Sequence, residues 1–347
     1  MQPVPAAEAW NLPRIESPGE LASWFGLQPG DLRWFADVRG LLQKQTRMAL
    51  SHYHYRALAK DSASIRLIEA PKQRLKEMQR GILVEILEKI PVHPAAHGFV
   101  KGLSIKTFVT PHSGRRIILR MDLQDYFPSI SGARIQSFFR ILGYPEAVAD
   151  LLGGICTNAT PRDAWQQVPS HIDRIRLHEY QTLYARPHLP QGAPTSPALA
   201  NLCTYRVDCR LTSLAKSVGA HYSRYADDLA FSSNDATFER SVERFSIHVA
   251  AILMEEGFRV HHRKTRIMRQ GVRQYIAGLV ANRHPNVIRA DYDRLKAILN
   301  NCLRFGLESQ NRDAHPNFRA HLEGRVAFVT SINPGKGARL KSILQQL

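Results

Sequence analysis

The sequence has few cysteines and no long hydrophobic run. None of its four cysteines belongs to a C-x-x-C pair or to a zinc-type spacing, which favours reduced thiols in a core over a disulfide framework. The most apolar stretch, "GILVEILEKI", is interrupted by Glu85 and Glu88, and the N-terminus lacks a basic-then-apolar signal pattern. We therefore expect a soluble cytoplasmic chain without a membrane partner. The cysteines are Cys156, Cys203, Cys209 and Cys302.

Acidic residues are also scarce relative to basic ones. The chain has 47 Lys and Arg against 30 Asp and Glu, a net charge of +17. From Gly257 to Leu347 there are 17 basic and 5 acidic residues, so this last quarter carries +12 of that charge. Such an imbalance is typical of proteins that bind phosphate-rich partners, and it predicts salt-dependent binding of nucleic acid. The run "FRVHHRKTRIMRQGVR" supplies the candidate contacts Arg263, Arg266, Arg269 and Arg273.

The sequence contains no internal repeat and no low-complexity linker, which predicts packed lobes rather than separate modules. The stretch up to about Ala57 suggests helices, and "PKQRLKEMQRGILVEILEKIP" has the spacing of an amphipathic helix. The β-branched run from Arg116 to Leu123 predicts a buried strand. "SPALANLCTYRVDCRLTSLAK" returns to helical spacing, and a further helix is predicted from Asp291 to Phe305, ending at Gly306. The order indicates an α+β chain with a helical C-terminal lobe.

Two adjacent aspartates occupy the centre of a predicted hairpin. In "YSRYADDLAFSS", Asp227 and Asp228 lie where the chain should turn, and a third acid, Asp122, lies near the end of the strand predicted upstream. Carboxylates held together repel one another unless a cation neutralises them, and Mg²⁺ prefers such oxygen ligands. If the strand ends are neighbours, the three acids are candidate ligands for two metal ions in phosphoryl transfer. The tetrapeptide "YADD" (Tyr225–Asp228) alone fits a solvated turn equally well.

Three longer motifs decide between these interpretations. "RMDLQDYFPSI" (Arg120–Ile130), "LPQGAPTSPALANL" (Leu189–Leu202) and "YADDLAFS" (Tyr225–Ser232) resemble, in order and style, the palm motifs of reverse transcriptases. The resemblance is strongest to the bacterial retron enzymes and extends upstream to "RLIEAPKQRLKEMQRGIL" and "VHPAAHGFVKGLSI". Downstream it includes "HRKTRIMRQGVRQYIAGLVAN", so that it covers most of residues 50 to 300.

The resemblance implies a role for each matching residue. Asp122, Asp227 and Asp228 correspond to the catalytic metal ligands, and Lys264 corresponds to a lysine that protonates the leaving pyrophosphate. Phe127 falls where the family places an aromatic ring against the 2′ position of the sugar, although a core aromatic fits it equally well. The remaining implied contacts are Arg66, Lys72, Gln191 and Gly192 with the nucleotide and template, and Gly278 with the primer end.

The family fold is a right-hand polymerase with an antiparallel palm sheet and a helical thumb. Applied to this chain, it predicts a helical N-terminal region over 1–60 and a thumb that binds the RNA–DNA duplex over 285–347. The catalytic palm would comprise 122–130 and 201–284, and the fingers and other palm elements 61–121 and 131–200.

The implied activity is RNA-directed DNA synthesis from dNTPs with two Mg²⁺ ions, or Mn²⁺ in their place. A retron enzyme copies its own structured noncoding RNA into a branched RNA–DNA product, msDNA, for antiphage defence, with an effector protein as a further partner. The alternatives are an intron-type, CRISPR-associated or abortive-infection reverse transcriptase, a two-metal nuclease, and a non-catalytic RNA-binding scaffold. The chain departs from the retron pattern at "SIKTFVTPH", which offers only His112 for an N-A-x-x-H element, at "IAG" in place of V-T-G, and in a polar stretch between Cys156 and His188 of unassigned function.

Overall fold

The computed structural model describes residues 1, 5–42, 50–61, 64–166, 168 and 172–347. Within these residues, no helix is both long and apolar enough to span a membrane. The chain forms two compact units, each assembled from three segments. Unit one comprises Met1–Val100, Leu123–Arg210 and Ala250–Val260, and unit two comprises Lys101–Asp122, Leu211–Val249 and His261–Leu347.

The described residues alternate between helices and short strands. The helices are α1 (Pro5–Glu8), α2 (Pro18–Trp24), α3 (Pro29–Ala36), α4 (Gln73–Glu85), α5 (Ile105–Val109), α6 (Tyr126–Ser129), α7 (Gly132–Ile141), α8 (Glu146–Cys156), α9 (Arg174–Tyr184), α10 (Ser196–Cys203), α11 (Tyr205–Ser217), α12 (Ala236–Glu255), α13 (Arg289–Phe305), α14 (Phe318–Ile332) and α15 (Pro334–Leu344). The strands are β1 (Tyr53–Asp61), β2 (Ser64–Pro71), β3 (Ile117–Gln124), β4 (His221–Tyr225), β5 (Asp228–Ser233), β6 (Arg259–Val260), β7 (Arg266–Arg269), β8 (Tyr275–Ile276) and β9 (Leu279–Val280).

The N-terminal helices belong to the core of unit one. Helices α2 and α3 pack against α8, and the side chains of Leu21 and Leu32 are fully buried. The approach is so close that a Cβ atom on Gly154 of α8 would lie 2.1 Å from the carbonyl oxygen of Ala36. Only glycine allows two backbones to meet at that distance.

The predicted helical region does not extend to Ala57. From Tyr53 onward the chain is strand β1, which pairs antiparallel with β2 in a register that places Tyr53 opposite Pro71. The physical reason is a period of two: Tyr53 is buried and Tyr55 and Ala57 are half-buried, while the side chains between them are exposed. Pairing with β2 overrides the helix propensity of the "RALAK" run.

The polar stretch between Cys156 and His188 covers this hairpin. Trp165 and Tyr184 pack on Leu67 of β2 in a small apolar cluster, with Tyr55 and Leu177 against its edge. The stretch thus has a structural role within the part of the chain that is described, which omits residues 167 and 169–171.

Two helix predictions differ only in detail from the structure. The predicted amphipathic helix is confirmed as α4, which buries Leu75, Met78 and Ile82 and is followed by one 3₁₀ turn over Leu87–Lys89. The predicted run through "SPALANLCTYRVDCRLTSLAK" divides into α10 and α11 at Thr204. Thr204 has a φ of −92° and a ψ of 1°, outside the helical range, although its amide still donates to the Ala200 carbonyl at 3.1 Å.

Unit two is built around antiparallel strands. In this unit β5 pairs with both β4 and β3, and β3 also pairs with β7. The predicted strand over Arg116–Leu123 is confirmed as β3, whose residues Ile117, Ile118 and Leu119 are completely buried. Helices α13 to α15 add to the core of the unit through residues such as Leu295, Leu322 and Leu340. The predicted helix over Asp291–Phe305 is confirmed as α13.

His112 is fully buried and is hydrogen-bonded to both β4 and β5. Its Nε2 lies 2.7 Å from Ser223 Oγ on β4, and its Nδ1 lies 2.7 Å from Ser232 Oγ on β5. A buried imidazole needs partners for both nitrogens, and the two hydroxyls provide them. The histidine that this chain offers for the N-A-x-x-H element therefore braces the hairpin that carries Asp227 and Asp228.

Candidate active site

The turn between β4 and β5 places the paired aspartates. Tyr225 pairs with Asp228, so that Ala226 and Asp227 form a two-residue turn. Ala226 has a φ of +55°, which is a left-handed conformation that non-glycine residues seldom adopt. The buried side chain of Arg224 stabilises this turn, because its Nη1 donates a hydrogen bond of 3.2 Å to the Ala226 carbonyl.

The third aspartate is the cross-strand neighbour of the pair. Asp122 of β3 lies directly opposite Asp228 of β5 in the antiparallel register. The predicted adjacency of the two strand ends is thereby confirmed. Asp122 is only 4% exposed, and Asp227 and Asp228 are half-buried, so the three carboxylates share a region with little water.

The electrostatics of this cluster favour binding of a cation. Burial, together with the charges of Asp122 and Asp228, raises the pKa of Asp227 to about 6. Burial also raises the pKa of Asp228, although the charge of Arg120 opposes this shift. A carboxylate whose ionised form is destabilised in this way gains free energy when a positive charge approaches.

Two basic side chains already contact the acids. Lys264 Nζ donates a hydrogen bond of 2.8 Å to Asp122 Oδ1. Arg120 donates from Nε and Nη2 to Asp228 Oδ1, at 2.9 and 2.7 Å. The structure thus brings Lys264, a predicted catalytic residue, to the predicted metal ligands.

Arg120 was missed by the sequence reasoning. A signal was available, since Arg120 precedes Asp122 by two positions on β3 and therefore projects from the same face of the strand. Its directly opposed residue is Ala230, two positions beyond Asp228. The contact between Arg120 and Asp228 is thus the diagonal pair that such a register makes available.

The three acids fit a metal site by their chemistry more than by their present arrangement. Within the described residues, no three His, Cys, Asp or Glu side chains already converge on one point as metal ligands. Asp122 instead contacts Lys264, and Asp228 contacts Arg120. The oxygen donors, the burial and the raised pKa of Asp227 nevertheless match what Mg²⁺ or Mn²⁺ requires.

The predicted nucleotide contacts all belong to unit one. Arg66 is exposed on β2, and Lys72 follows that strand at the N-terminus of α4. Phe127 is half-buried on α6, with its ring centroid 6.0 Å from that of Phe99. The backbone of Gln191 accepts a hydrogen bond of 2.8 Å from the amide of Glu69.

Position 192 favours glycine for two reasons. Its φ is +133°, and a Cβ at this position would lie 2.9 Å from the carbonyl oxygen of Glu69. The loop that contains Gln191 and Gly192 is therefore held directly against β2. The predicted contact of this loop with nucleotide and template stays a prediction, and the close backbone neighbour in this structure is β2.

The basic residues of unit two differ in their surroundings. Arg263, Arg266 and Arg273 are exposed, and Arg266 Nη1 donates 2.8 Å hydrogen bonds to the carbonyls of Arg263 and Thr265. Arg269 instead pairs with Glu239, at 3.1 Å between Nε and Oε1. Part of its charge is thus already neutralised.

Gly278 occupies the turn between β8 and β9. Its φ is +87°, a conformation that favours glycine. The "IAG" sequence that replaces V-T-G therefore still forms a tight hairpin in this structure.

Comparison with known proteins identifies the family. The sequence model described as "Reverse transcriptase (RNA-dependent DNA polymerase)" matches residues 58–297. The retron Mx65 reverse transcriptase of Myxococcus xanthus is 39% identical over 95% of this chain and 72% of its own length. The retron Mx162 enzyme of the same organism is 36% identical over 98% of this chain and 69% of its own length. The retron Ec86 reverse transcriptase of Escherichia coli is 30% identical over 82% of this chain and 77% of its own length.

A solved structure of a foamy viral protease–reverse transcriptase bound to double-stranded DNA is also similar, at 15% identity and a TM-score of 0.39, over 88% of this chain and 45% of that one. The family match covers more than half of the chain, and the relatives of high identity are retron enzymes rather than intron-type ones. The chain therefore belongs to the reverse transcriptase family, and it is an RNA-directed DNA polymerase of the retron type.

Proposed function

We propose that the enzyme copies a structured noncoding RNA into single-stranded DNA in the cytoplasm, and that the branched RNA–DNA product acts with an effector protein in antiphage defence. The observation that supports this most strongly is the register that sets Asp122 opposite Asp228, with Asp227 in the adjoining turn. It occurs in a chain that resembles the retron Mx65 enzyme over 95% of its length.

Asp122, Asp227 and Asp228 are the residues that would hold two Mg²⁺ or Mn²⁺ ions. Such ions neutralise charge on the phosphates and favour attack by the primer hydroxyl. The hydroxyl attacks the α-phosphate of the dNTP, a new phosphodiester bond forms, and the bond to pyrophosphate breaks. Lys264, which lies 2.8 Å from Asp122, would give a proton to the leaving pyrophosphate. Arg120 holds the carboxylate of Asp228 in one orientation.

The nucleotide would be held by residues of unit one. Arg66 and Lys72 carry positive charge for the triphosphate, and Phe127 presents a ring to the sugar. Gln191 and Gly192 would contact the nucleotide and template, Gln191 through its side chain. The region over 285–347 would act as the thumb, where α13 to α15 share a core with one another.

The proposal predicts which nucleic acid accompanies the protein. The chain purified from its native host should carry one structured RNA joined to DNA copied from it. The Asp227→Asn variant should carry the same RNA without the DNA, because it retains the binding surface and loses the chemistry. Sequencing of the bound nucleic acid after separate RNase and DNase treatment measures this. RNA without DNA on the unmodified enzyme would favour the scaffold alternative, and heterogeneous RNA would refute selection of a single template.

A second prediction concerns the basic strip of unit two, which comprises Arg263, Arg266 and Arg269. Replacing Arg263 and Arg266 by Gln should weaken binding to every RNA–DNA duplex and flatten the dependence of log K on log salt by about two, one for each lost phosphate contact. Adding Arg269→Gln should change the slope less, because Glu239 already pairs with Arg269. Affinity measured across a salt series tests both statements.

The matched control for these variants is Arg140→Gln in unit one, which removes a positive charge that is paired with Asp150. If the Arg263 and Arg266 variants keep the salt slope of the unmodified enzyme, this strip does not bind the duplex.

A further inference from the structure

Unit one contains a buried ion pair that the proposed chemistry does not use. Glu69 of β2 is completely buried, and its Oε2 lies 2.9 Å from Nε2 of His188, which is 1% exposed. The other oxygen, Oε1, accepts hydrogen bonds from Asn158 Nδ2 at 2.7 Å and from Thr160 Oγ1 at 2.6 Å. Both carboxylate oxygens of Glu69 thus have hydrogen-bond partners.

The geometry fixes the charge of His188. Its Nδ1 lies 2.7 Å from the carbonyl oxygen of Arg186, which can only accept a hydrogen bond. Its Nε2 faces the Glu69 carboxylate. While Glu69 is ionised, both nitrogens therefore carry hydrogen, which makes the ring an imidazolium. Burial lowers the pKa of His188, but the charge and hydrogen bond of Glu69 and the Arg186 carbonyl outweigh it, so that this pKa is raised above 6.5.

The two members of the pair adjoin the two segments predicted to contact the nucleotide. Glu69 lies midway between Arg66 and Lys72, with three positions to each. His188 lies three positions before Gln191, and the backbone amide of Glu69 donates a 2.8 Å hydrogen bond to the Gln191 carbonyl. The ion pair and this backbone bond therefore join β2 to the loop at two points.

A buried ion pair is an expensive way to stabilise a core. Removing two charges from water costs several kcal/mol for each ion, and apolar side chains of similar volume commonly give equal or greater stability. What an ion pair supplies in addition is a unique geometry, because its hydrogen bonds are directional. Leu67, Trp165 and Tyr184, the apolar residues next to this pair, could have packed without it.

We propose that Glu69 and His188 are positioning residues for nucleotide binding, which hold the loop of Gln191 and Gly192 at a fixed distance from Arg66 and Lys72. The inference rests on the proposed roles of those four residues. Neither Glu69 nor His188 needs to touch the dNTP, and the pair acts through the segments that do.

The pair also makes the proposed arrangement sensitive to pH. A histidine whose folded pKa is raised contributes stability that is complete below 6.5 and is lost as pH rises through the folded pKa. Above that pKa the neutral ring lacks one hydrogen, and Glu69 remains buried beside it. The tyrosines near the pair stay neutral in this range, since burial raises the pKa of Tyr55 to about 12 and the pKa values of Tyr53 and Tyr184 well above their ordinary range. The other charged groups near Tyr184 are Arg66 and Asp125.

The test compares Glu69→Gln, His188→Gln and the double variant. Each single change leaves a buried charge without its partner and should raise KM for dNTP about tenfold, with a smaller change in kcat. The Kd for primer–template should stay unchanged. The double variant should recover most of the loss, because two amides can hydrogen-bond to each other without charge. In the unmodified enzyme KM should rise with pH above the pKa of His188, and in His188→Gln this rise should disappear.

The matched control is Glu77→Gln, an exposed residue of α4 outside the group. Gln191→Ala tests the nucleotide contact of the loop separately from the positioning role of the ion pair. If Gln191→Ala leaves KM unchanged, the loop does not contact the nucleotide, and the proposed nucleotide role and this inference both fail. If Gln191→Ala raises KM while the single variants retain the KM and the pH profile of the unmodified enzyme, the positioning role alone is wrong. The positioning role is also wrong if the single variants lower the melting temperature and leave KM unchanged. If the single variants do not fold, the folded double variant decides, and a pH-dependent rise in its KM would overturn the positioning role.

Discussion

Replacing Asp227 or Asp228 by Asn should abolish dNTP incorporation while leaving the chain folded. Each change removes one negative charge from the cluster that would bind the metal ions. Loss of one such electrostatic contribution to the transition state lowers kcat by about a thousandfold or more. Primer extension with Mg²⁺ measures the loss, and Asp235→Asn is a suitable control because this exposed aspartate only caps α12 through the amide of Thr237. Near-normal extension by either variant would show that the acids are not the catalytic site.

The same two variants should differ in stability. Asp227 is destabilised when ionised, since burial and its acidic neighbours raise its pKa to about 6. Asp227→Asn should therefore melt at a higher temperature than the unmodified chain at pH 7.5, and the difference should shrink as the pH falls from about 6 toward 4, because Asp227 becomes protonated in the folded chain while it is only partly protonated in the unfolded chain. Asp228→Asn should gain less, because it also takes away the partner of Arg120. Equal melting curves at both pH values would contradict this account of the cluster.

Replacing Phe127 by Ala should increase the use of rNTP relative to dNTP by about 10- to 100-fold. A ring against the sugar excludes the 2′-hydroxyl by contact, and removal of the ring opens that space. The half-buried position of Phe127 beside Phe99 leaves part of the ring accessible for this role. The ratio of kcat/KM values for the two sugars measures the effect.

The neighbouring Tyr126 provides the control for this experiment. It is buried, and its hydroxyl lies 3.1 Å from the Ala200 carbonyl and 2.9 Å from Thr204 Oγ1. Tyr126→Phe removes these hydrogen bonds and should leave sugar selection unchanged. If folded Phe127→Ala keeps the sugar preference of the unmodified enzyme, Phe127 is a core residue.

The elements that could be predicted are those whose sequence pattern lies within the element itself. β3, α4 and α13 were found from β-branched content or apolar spacing, and the hairpin around Asp227 from its alternating strands. Neither strand of the β1–β2 hairpin was predicted, and in β1 the helix formers of "RALAK" hide a period of two that only pairing with β2 stabilises. The roles of the acids came from resemblance to a family, since two adjacent aspartates also suit a solvated turn.

Contacts between distant residues could not be predicted in the same way. Glu69 and His188 are 119 positions apart, and nothing in the composition of either segment links them. Arg120 and Asp228 are 108 positions apart, although the register of two predicted strands would have revealed that contact. The polar stretch before His188 gave no signal because its partners, such as Leu67, lie on a strand far upstream.

The backbone contact between Gly154 and Ala36 bears on where this enzyme can be divided. The segment that defines the family begins at residue 58, whereas the buried residues of unit one begin at Ala7 and include Leu21 and Leu32. Each fully buried leucine contributes roughly 2 kcal/mol of burial free energy, against a total stability of about 5–15 kcal/mol for a typical protein. The smallest segment expected to fold on its own is therefore larger than residues 58–297, which match the family, because the helices before residue 58 belong to the same core.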